Sequence, residues 1–546
     1  MDNFQQLNII ILLLIAVLAL TTIARRLAIP YPILLVIGGL VLSFIPGLPT
    51  IRLDPDLIFL VFLPPLLWAA AYFTSWRDFR ANVRPITLLA VGLVIATTVA
   101  VASVARAALP ELGWTGAIVL GAIVSPPDAV SATAIMKHLR IPRRAVTILE
   151  GESLVNDATA LVLYRAALAA VVSGKFELSH TFMDFFLVAS MGIAVGIVVG
   201  IVCCWVLGLT EDSFSEIAIT LLAPYIAWVL AEQAHASAVL ACVTGGLYIR
   251  QRFSAIVAPI TRIQARAVWD LLVFILNGII FILIGLQLDT LREAVPSSRL
   301  AQLTIDGILV SATAIAVRLV WIPTAAWVPR LLNSSLRARD PMPSWPNLFI
   351  LGWSGMRGVV SLAAAMALPF VTADGAPFPF RAEIILIAFM VILVTLVFQG
   401  LSLPLLIRLL DLGEDKSIEY EVRQARERAA TAALNLLDTI VDEDWPVPGH
   451  IEQLRVHYDQ RLQRNVATEA SDAECTKEIT EAFRRLRHET LTAERLAVIN
   501  LRNEDVISDE VLHRLEHELD VEALRIGIGE LRVSPERQHT KKPKTS

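Results

Sequence analysis

Apolar segments of membrane-spanning length recur through the first 410 residues, and this limits the fold more than any other feature. They run roughly 7–24, 31–47, 57–73, 86–108, 114–136, 146–172, 183–208, 216–232, 236–249, 268–288, 303–329, 347–370 and 383–410. A hydrocarbon core about 30 Å thick takes about 20 residues of helix. Inside it every backbone N–H and C=O must be satisfied internally, which leaves helices or closed barrels. The pattern predicts an all-α polytopic membrane protein with about thirteen transmembrane helices. The ninth segment is short and reads as a half-helix or as an extension of the eighth.

Charge divides the chain. Residues 1–410 hold 26 Lys and Arg against 22 Asp and Glu, whereas residues 411–546 hold 20 against 29. The expected organisation is a transmembrane domain over 1–410 and an acidic tail over 411–546. The start MDNFQQLNIIILLLIAVLAL lacks a basic n-region and is read as a first helix rather than a cleaved signal. Arg25, Arg26, Arg77, Arg80, Arg84, Lys137, Arg140, Arg143, Arg144, Arg250, Arg252, Arg262, Arg266, Arg330, Arg337 and Arg339 fall in alternate loops. The opposite loops hold only Arg52, Lys175, Arg292, Arg299 and Arg381. Basic loops stay cytoplasmic, so the N-terminus is expected outside and the tail inside a bacterial plasma membrane. Cys203, Cys204, Cys242 and Cys475 form no CxxC pattern, and the first three sit in apolar runs as packing residues.

Within the sixth segment, LEGESLVNDATALVL places Glu152, Asn156 and Asp157 where lipid surrounds the helix. Asp157 lies roughly 16 Å in from Ala145, near the bilayer midplane. A charge there costs at least about 2.5–3.5 kcal/mol, so such residues line ion paths or pair internally. Ser153, Asn156 and Asp157 share one helix face, offering a hydroxyl, an amide and a carboxylate. These are hard oxygen ligands, suited to a hard cation.

Two other segments are interrupted. GAIVSPPDAVSATAI carries Pro126 and Pro127 just before Asp128, and ILGWSGMRGVVSLAAA carries Gly352, Gly355 and Gly358 around Arg357. They are the fifth and twelfth segments, and orientation inverts across that odd offset. Broken helices in corresponding places of inverted repeats mark the midplane site of secondary transporters. Asp128 is expected to neutralise a half-helix N-terminus. Arg357 needs an anion, with Glu152 the candidate partner, which leaves Asp157 without an obligatory one. His235 is placed at a helix end, and Arg318 is read as packing or reaching for headgroups. The tail shows helical periodicity near 418–441, 450–466, 471–500 and 508–526. Its role is read as regulatory or dimer-stabilising. No GxxxxGK[ST] loop appears, so ATP-driven pumping is unsupported.

GESLVNDATALVLY, VFLPPLLWAAAYF, GAIVSPPDAVSATAI and GWSGMRGVVSLAAAMALP together resemble the monovalent cation/proton antiporter family. That family includes bacterial sodium/proton and animal sodium/hydrogen exchangers, and the resemblance covers about residues 1–410. It implies a homodimer of thirteen-helix protomers, each with a mobile six-helix core containing crossed, broken helices 5 and 12. Asp157 matches the ion-binding aspartate, Asn156 the asparagine before it, Ser153 a hydroxyl ligand and Asp128 the acid on the broken helix. Glu152 and Arg357 match a structural ion pair. Ala69 stands where some archaeal members carry an acid after LPP, and Pro127 where some carry Thr.

The expected function is a secondary antiporter, not an enzyme, exchanging Na⁺ (or Li⁺ or K⁺) for H⁺ by competition at Asp157, electroneutrally because Asn156 cannot ionise. No cofactor or nucleic-acid partner is expected. A K⁺/H⁺ exchanger on the same scaffold, an intramembrane protease using Asp128 and Asp157, and a membrane sensor stand as rivals.

Overall fold

The apolar segments fold as helices, since in lipid only a helix satisfies each segment's own backbone. A computed structural model describes residues 3–27, 29–45, 58–136, 141–173, 178–372, 376–410, 417–441, 448–467, 473–504, 506 and 508–526. Arg52, Lys137, Arg140, Lys175, Pro446 and the KKPKTS end lie outside them. The helices are α1 (Asn3–Leu27), α2 (Tyr31–Ser43), α3 (Ile58–Phe73), α4 (Val83–Ala108), α5a (Gly113–Val124), α5b (Ala129–Met136) and α6 (Arg143–Ser173). There follow α7 (Leu178–Leu207), α8 (Ser213–Gln233), α9 (Ala238–Ile256), α10 (Pro259–Glu293), α11 (Ser297–Leu332), α12a (Trp345–Trp353), α12b (Val359–Met366) and α13 (Arg381–Leu410). Seven of them, α4, α6, α7, α8, α10, α11 and α13, are long and apolar enough to cross a membrane by length and composition. Among the described residues there is no strand, only an isolated bridge between Val371 and Pro377.

Helix α9 neither merges with α8 nor stops as a half-helix. His235, exposed and in the left-handed region at φ 53°, turns the chain between them. The Ser237 hydroxyl then accepts from the Leu240 N–H (3.3 Å) and starts 19 residues of helix.

Within residues 1–415 the helices pack in two sets. In one, α7 lies on α9, α9 on α3, and α2 on α10. In the other, α4 and α6 enclose α5a, while α11 packs on α4, α12a and α13. The second set has six members and holds both broken helices. Small residues permit the tightest approaches: a Cβ on Gly121 of α5a would lie 2.4 Å from the Thr98 carbonyl oxygen of α4. Cys203, Cys204 and Cys242 are buried free thiols.

Residues 416–546 form a separate unit. It contains α14 (Ser417–Ile440), α15 (Pro448–Ala467), α16 (Ala473–Asn503) and α17 (Asp509–Ile526). Pro448 opens α15, at the first-turn position where its missing N–H costs nothing. Helices α16 and α17 pair through Leu491, Leu519 and Ala523, flanked by Arg487–Glu522 and Arg495–Asp520 ion pairs.

Candidate ion-exchange site

Proline at 126 and 127 removes two N–H donors, and the carbonyls and amides this frees must find other partners. The Ser125 hydroxyl donates to the Ala122 carbonyl (3.1 Å). Arg357 Nε donates to the Val124 carbonyl (3.1 Å), and Asn156 Nδ2 to the Pro127 carbonyl (2.9 Å). The Asp128 N–H reaches across to the Met356 carbonyl (2.6 Å), so the two breaks meet. Asp128 Oδ1 accepts from the Val130 N–H (2.8 Å) and Oδ2 from the Ser131 hydroxyl (3.1 Å). It thereby caps α5b, as expected of an acid at a half-helix N-terminus.

The second break is held from outside its own helix. The Arg357 N–H donates to Thr395 Oγ1 (3.1 Å), at the head of a π-helical turn spanning Thr395–Gln399 in α13. Such turns gather at functional sites. Gly355 and Gly358 serve here by lacking a Cβ; neither has positive φ. A Cβ on Gly355 would lie 2.3 Å from Arg318 Cδ, and one on Gly358 would lie 2.2 Å from Asp128 Oδ2.

The ion pair differs from expectation. Glu152, 1% exposed, accepts from Arg318 Nη1 (2.5 Å) and Nη2 (2.8 Å), while Arg318 Nη2 also reaches the Leu351 carbonyl (3.3 Å). Arg357 instead spends its side chain on the Val124 and Gly355 carbonyls (3.1 and 2.5 Å). The physical reason is depth. Arg318 lies fourteen residues from the end of α11, roughly 21 Å, beyond the reach of a side chain seeking headgroups. Its planar fork takes a carboxylate in two parallel bonds. Arg357, inside a break, has bare carbonyls closer to hand.

Asp157 is the fifteenth of 31 residues in α6 and is 6% exposed. It has no hydrogen-bond or ion-pair partner among the described residues. It lines a cavity of about 230 Å³ with Asp128, Ser153, Ala69, Asn277 and Ser361. The cavity continues past Glu150 to Asp270, toward the end of the bundle where Arg143, Arg144 and Arg266 lie. Ser361 Oγ and Asn156 Oδ1 are buried without a partner among the described residues. A second cavity, of about 470 Å³, lies along the opposite half of α6. Ala158, Leu161, Tyr164 and Arg165 line it, with Trp228 and Glu232 of α8. Arg165 and Glu232 approach to 3.3 Å across it. Asp157 lines the first cavity and Ala158, the next residue along α6, lines the second.

Ser361 was not singled out in the sequence, although a hydroxyl in the otherwise apolar VVSLAAAM half-helix is a usable signal. Asn277 carried the same signal on α10. Among the described residues no three His, Cys, Asp or Glu side chains cluster as a metal centre. The cavity is lined by the carboxylates of Asp157 and Asp128 with hydroxyl and amide side chains, all hard oxygen donors.

The family described as sodium/hydrogen exchanger, transmembrane, matches residues 12–409. The chain belongs to that family. The chain is similar to a Mycobacterium tuberculosis protein named an uncharacterized sodium/proton exchanger, 34% identical over 95% of this chain and 96% of that one. A Bacillus pumilus protein named a sodium, potassium, lithium and rubidium/proton antiporter is 27% identical over 95% of this chain and 78% of its own. In fold, the exchanger resembles the sodium/proton antiporter MjNhaP1 of Methanocaldococcus jannaschii, with a TM-score of 0.59 at 19% identity. That match covers 76% of this chain and all of the other.

Proposed function

We propose that the exchanger moves Na⁺ against H⁺ across the bacterial plasma membrane, with Asp157 binding either ion in turn. The observation that carries this is a buried, unpaired carboxylate lining one cavity, with a second cavity starting at the next residue and running toward the other end of the same helix. One site shared by two ions couples them, because the proton must leave before the cation enters. Alternating access follows if the six helices around the breaks shift against the other set. Ser153, Ser361 and the Asn156 amide oxygen complete the cation's shell beside Asp157, and Asp128 fixes the broken helix nearby. The asymmetry of basic loops supports an external N-terminus and a cytoplasmic tail. Two copies form a homodimer, and the tail is a regulatory module.

The absence of an acid at Ala69, which lines the cavity, favours a second reading in which K⁺ is also carried. The broad cation range in the name of the Bacillus pumilus relative agrees. Purified protein in vesicles, assayed for cation-driven proton flux with Na⁺, Li⁺ and K⁺, separates the readings. Asp157→Asn should abolish flux with every cation while the protein stays folded. Near-normal exchange by that variant would remove Asp157 from the mechanism.

A further inference from the structure

A groove of about 100 Å³ lies among α4, α6, α11 and α12a and shares no lining residue with the two cavities along α6. Its floor is apolar, formed by Leu89, Ile148, Ile322 and Leu351. Three guanidinium groups, Arg84, Arg144 and Arg330, stand around it. One carboxylate, Asp340, answers two of them: Arg144 donates to its oxygens at 2.8 and 3.1 Å, and Arg330 pairs with it as well. Arg84 is half-buried and has no carboxylate partner among the described residues. The groove therefore carries a surplus of two positive charges over an apolar floor.

Its depth in the membrane is marked by aromatic rings. Trp327 and Trp345 lie 5.9 Å apart at the same end of the bundle, and Trp345 is half exposed. Tryptophan gathers at headgroup level. Basic pockets between transmembrane helices at that level hold acidic lipid headgroups, and arginine forks match phosphate oxygens. A free phosphate would leave the apolar floor unused. The geometry points to a binding site for an anionic phospholipid, its phosphate on Arg84 and the first methylenes of one acyl chain in the groove. The floor residues Ile148 and Ile322 lie one helical turn from Glu152 and Arg318, and the Leu351 carbonyl accepts from Arg318. The lipid thus packs under the buried ion pair and ties four helices of the six-helix set together.

The test is thermal unfolding of the full-length protein in detergent with dioleoyl phosphatidylglycerol, dioleoyl phosphatidylcholine or inorganic phosphate added. Phosphatidylglycerol should raise the midpoint by several degrees more than phosphatidylcholine, and phosphate should leave it unchanged. Arg84→Gln should remove most of that difference without lowering the midpoint in phosphatidylcholine. Ala325→Leu, which fills the groove and leaves its charges in place, should do the same and serves if Arg84→Gln does not fold. Equal effects of the two lipids, a full response in both variants, or reproduction by phosphate alone would overturn the assignment. Asp157→Asn protein should respond as wild type does, so the site stands or falls apart from the exchange reading.

Discussion

Glu152 has both oxygens on Arg318, and this decides which substitution is costly. Breaking one side of a buried pair strands the other charge, at about 3–5 kcal/mol. Glu152→Gln and Arg318→Met should each lower the unfolding midpoint sharply, and the double variant should recover part of the loss. Arg357→Met, which removes a charge near Glu152 but no hydrogen bond to it, should show a smaller coupling to Glu152→Gln in the same cycle. Additive losses for Glu152 and Arg318 would mean the pair is not the unit. The sequence drew attention to Asp128, Ser153, Glu152, Asn156, Asp157 and Arg357 because a polar residue inside an apolar run is conspicuous. It could not pair them. Two arginines, at 318 and 357, were equally available to Glu152, and choosing between them needs the distance across helices. Arg318 was misread because its flanks, AVRLVW, look like those of a snorkelling residue; its depth in a 36-residue helix became clear only once the boundaries of α11 were set.

The two breaks are built differently, and each element's failure should differ accordingly. In α5 the break is written locally by adjacent prolines, so its position was legible from sequence. In α12 no residue forces a break; Gly355 and Gly358 admit Arg318 and Asp128, and Thr395 holds the opened backbone from α13. That role was not legible, because a glycine needed for close approach and one that merely loosens a helix look alike. Gly358→Ala must displace Asp128, whose Cβ would lie 2.6 Å from the new carbon and whose oxygens already cap α5b. Overpacking of this kind costs about 1–3 kcal/mol. Exchange should fall strongly for Gly358→Ala, whereas alanine at Gly38, which meets only the end of the Leu20 side chain, should be tolerated. Equal activity of the two variants in vesicles would show that the Asp128–Gly358 contact has no bearing on transport.

Over the full chain, the positions of the helices were legible because lipid enforces helix wherever the chain is apolar, but their ends were not, since α10 and α11 run past the apolar stretches. The six-helix set was expected only through the family resemblance, because it depends on contacts between distant segments. Three polar groups close to Asp157, at the start of α5b and on α6, have settled partners or no charge to exchange. Glu152 is neutralised by Arg318. Asp128 is committed to the Val130 N–H and the Ser131 hydroxyl. Asn156 cannot ionise, and its Nδ2 is engaged by the Pro127 carbonyl. In the proposed mechanism Asp157 is the group that gains and loses a charge. One monovalent cation should therefore replace one proton, with no net charge moved per cycle. In vesicles with no ion gradient, an imposed membrane potential should drive no Na⁺-dependent proton flux. The apparent KM for Na⁺ should rise as pH falls, at little-changed maximal rate, because protons and cations contend for one carboxylate. A potential-driven, Na⁺-dependent pH change would instead require a second carboxylate to release its proton, and Asp128, which lines the same cavity, would be the group to substitute next.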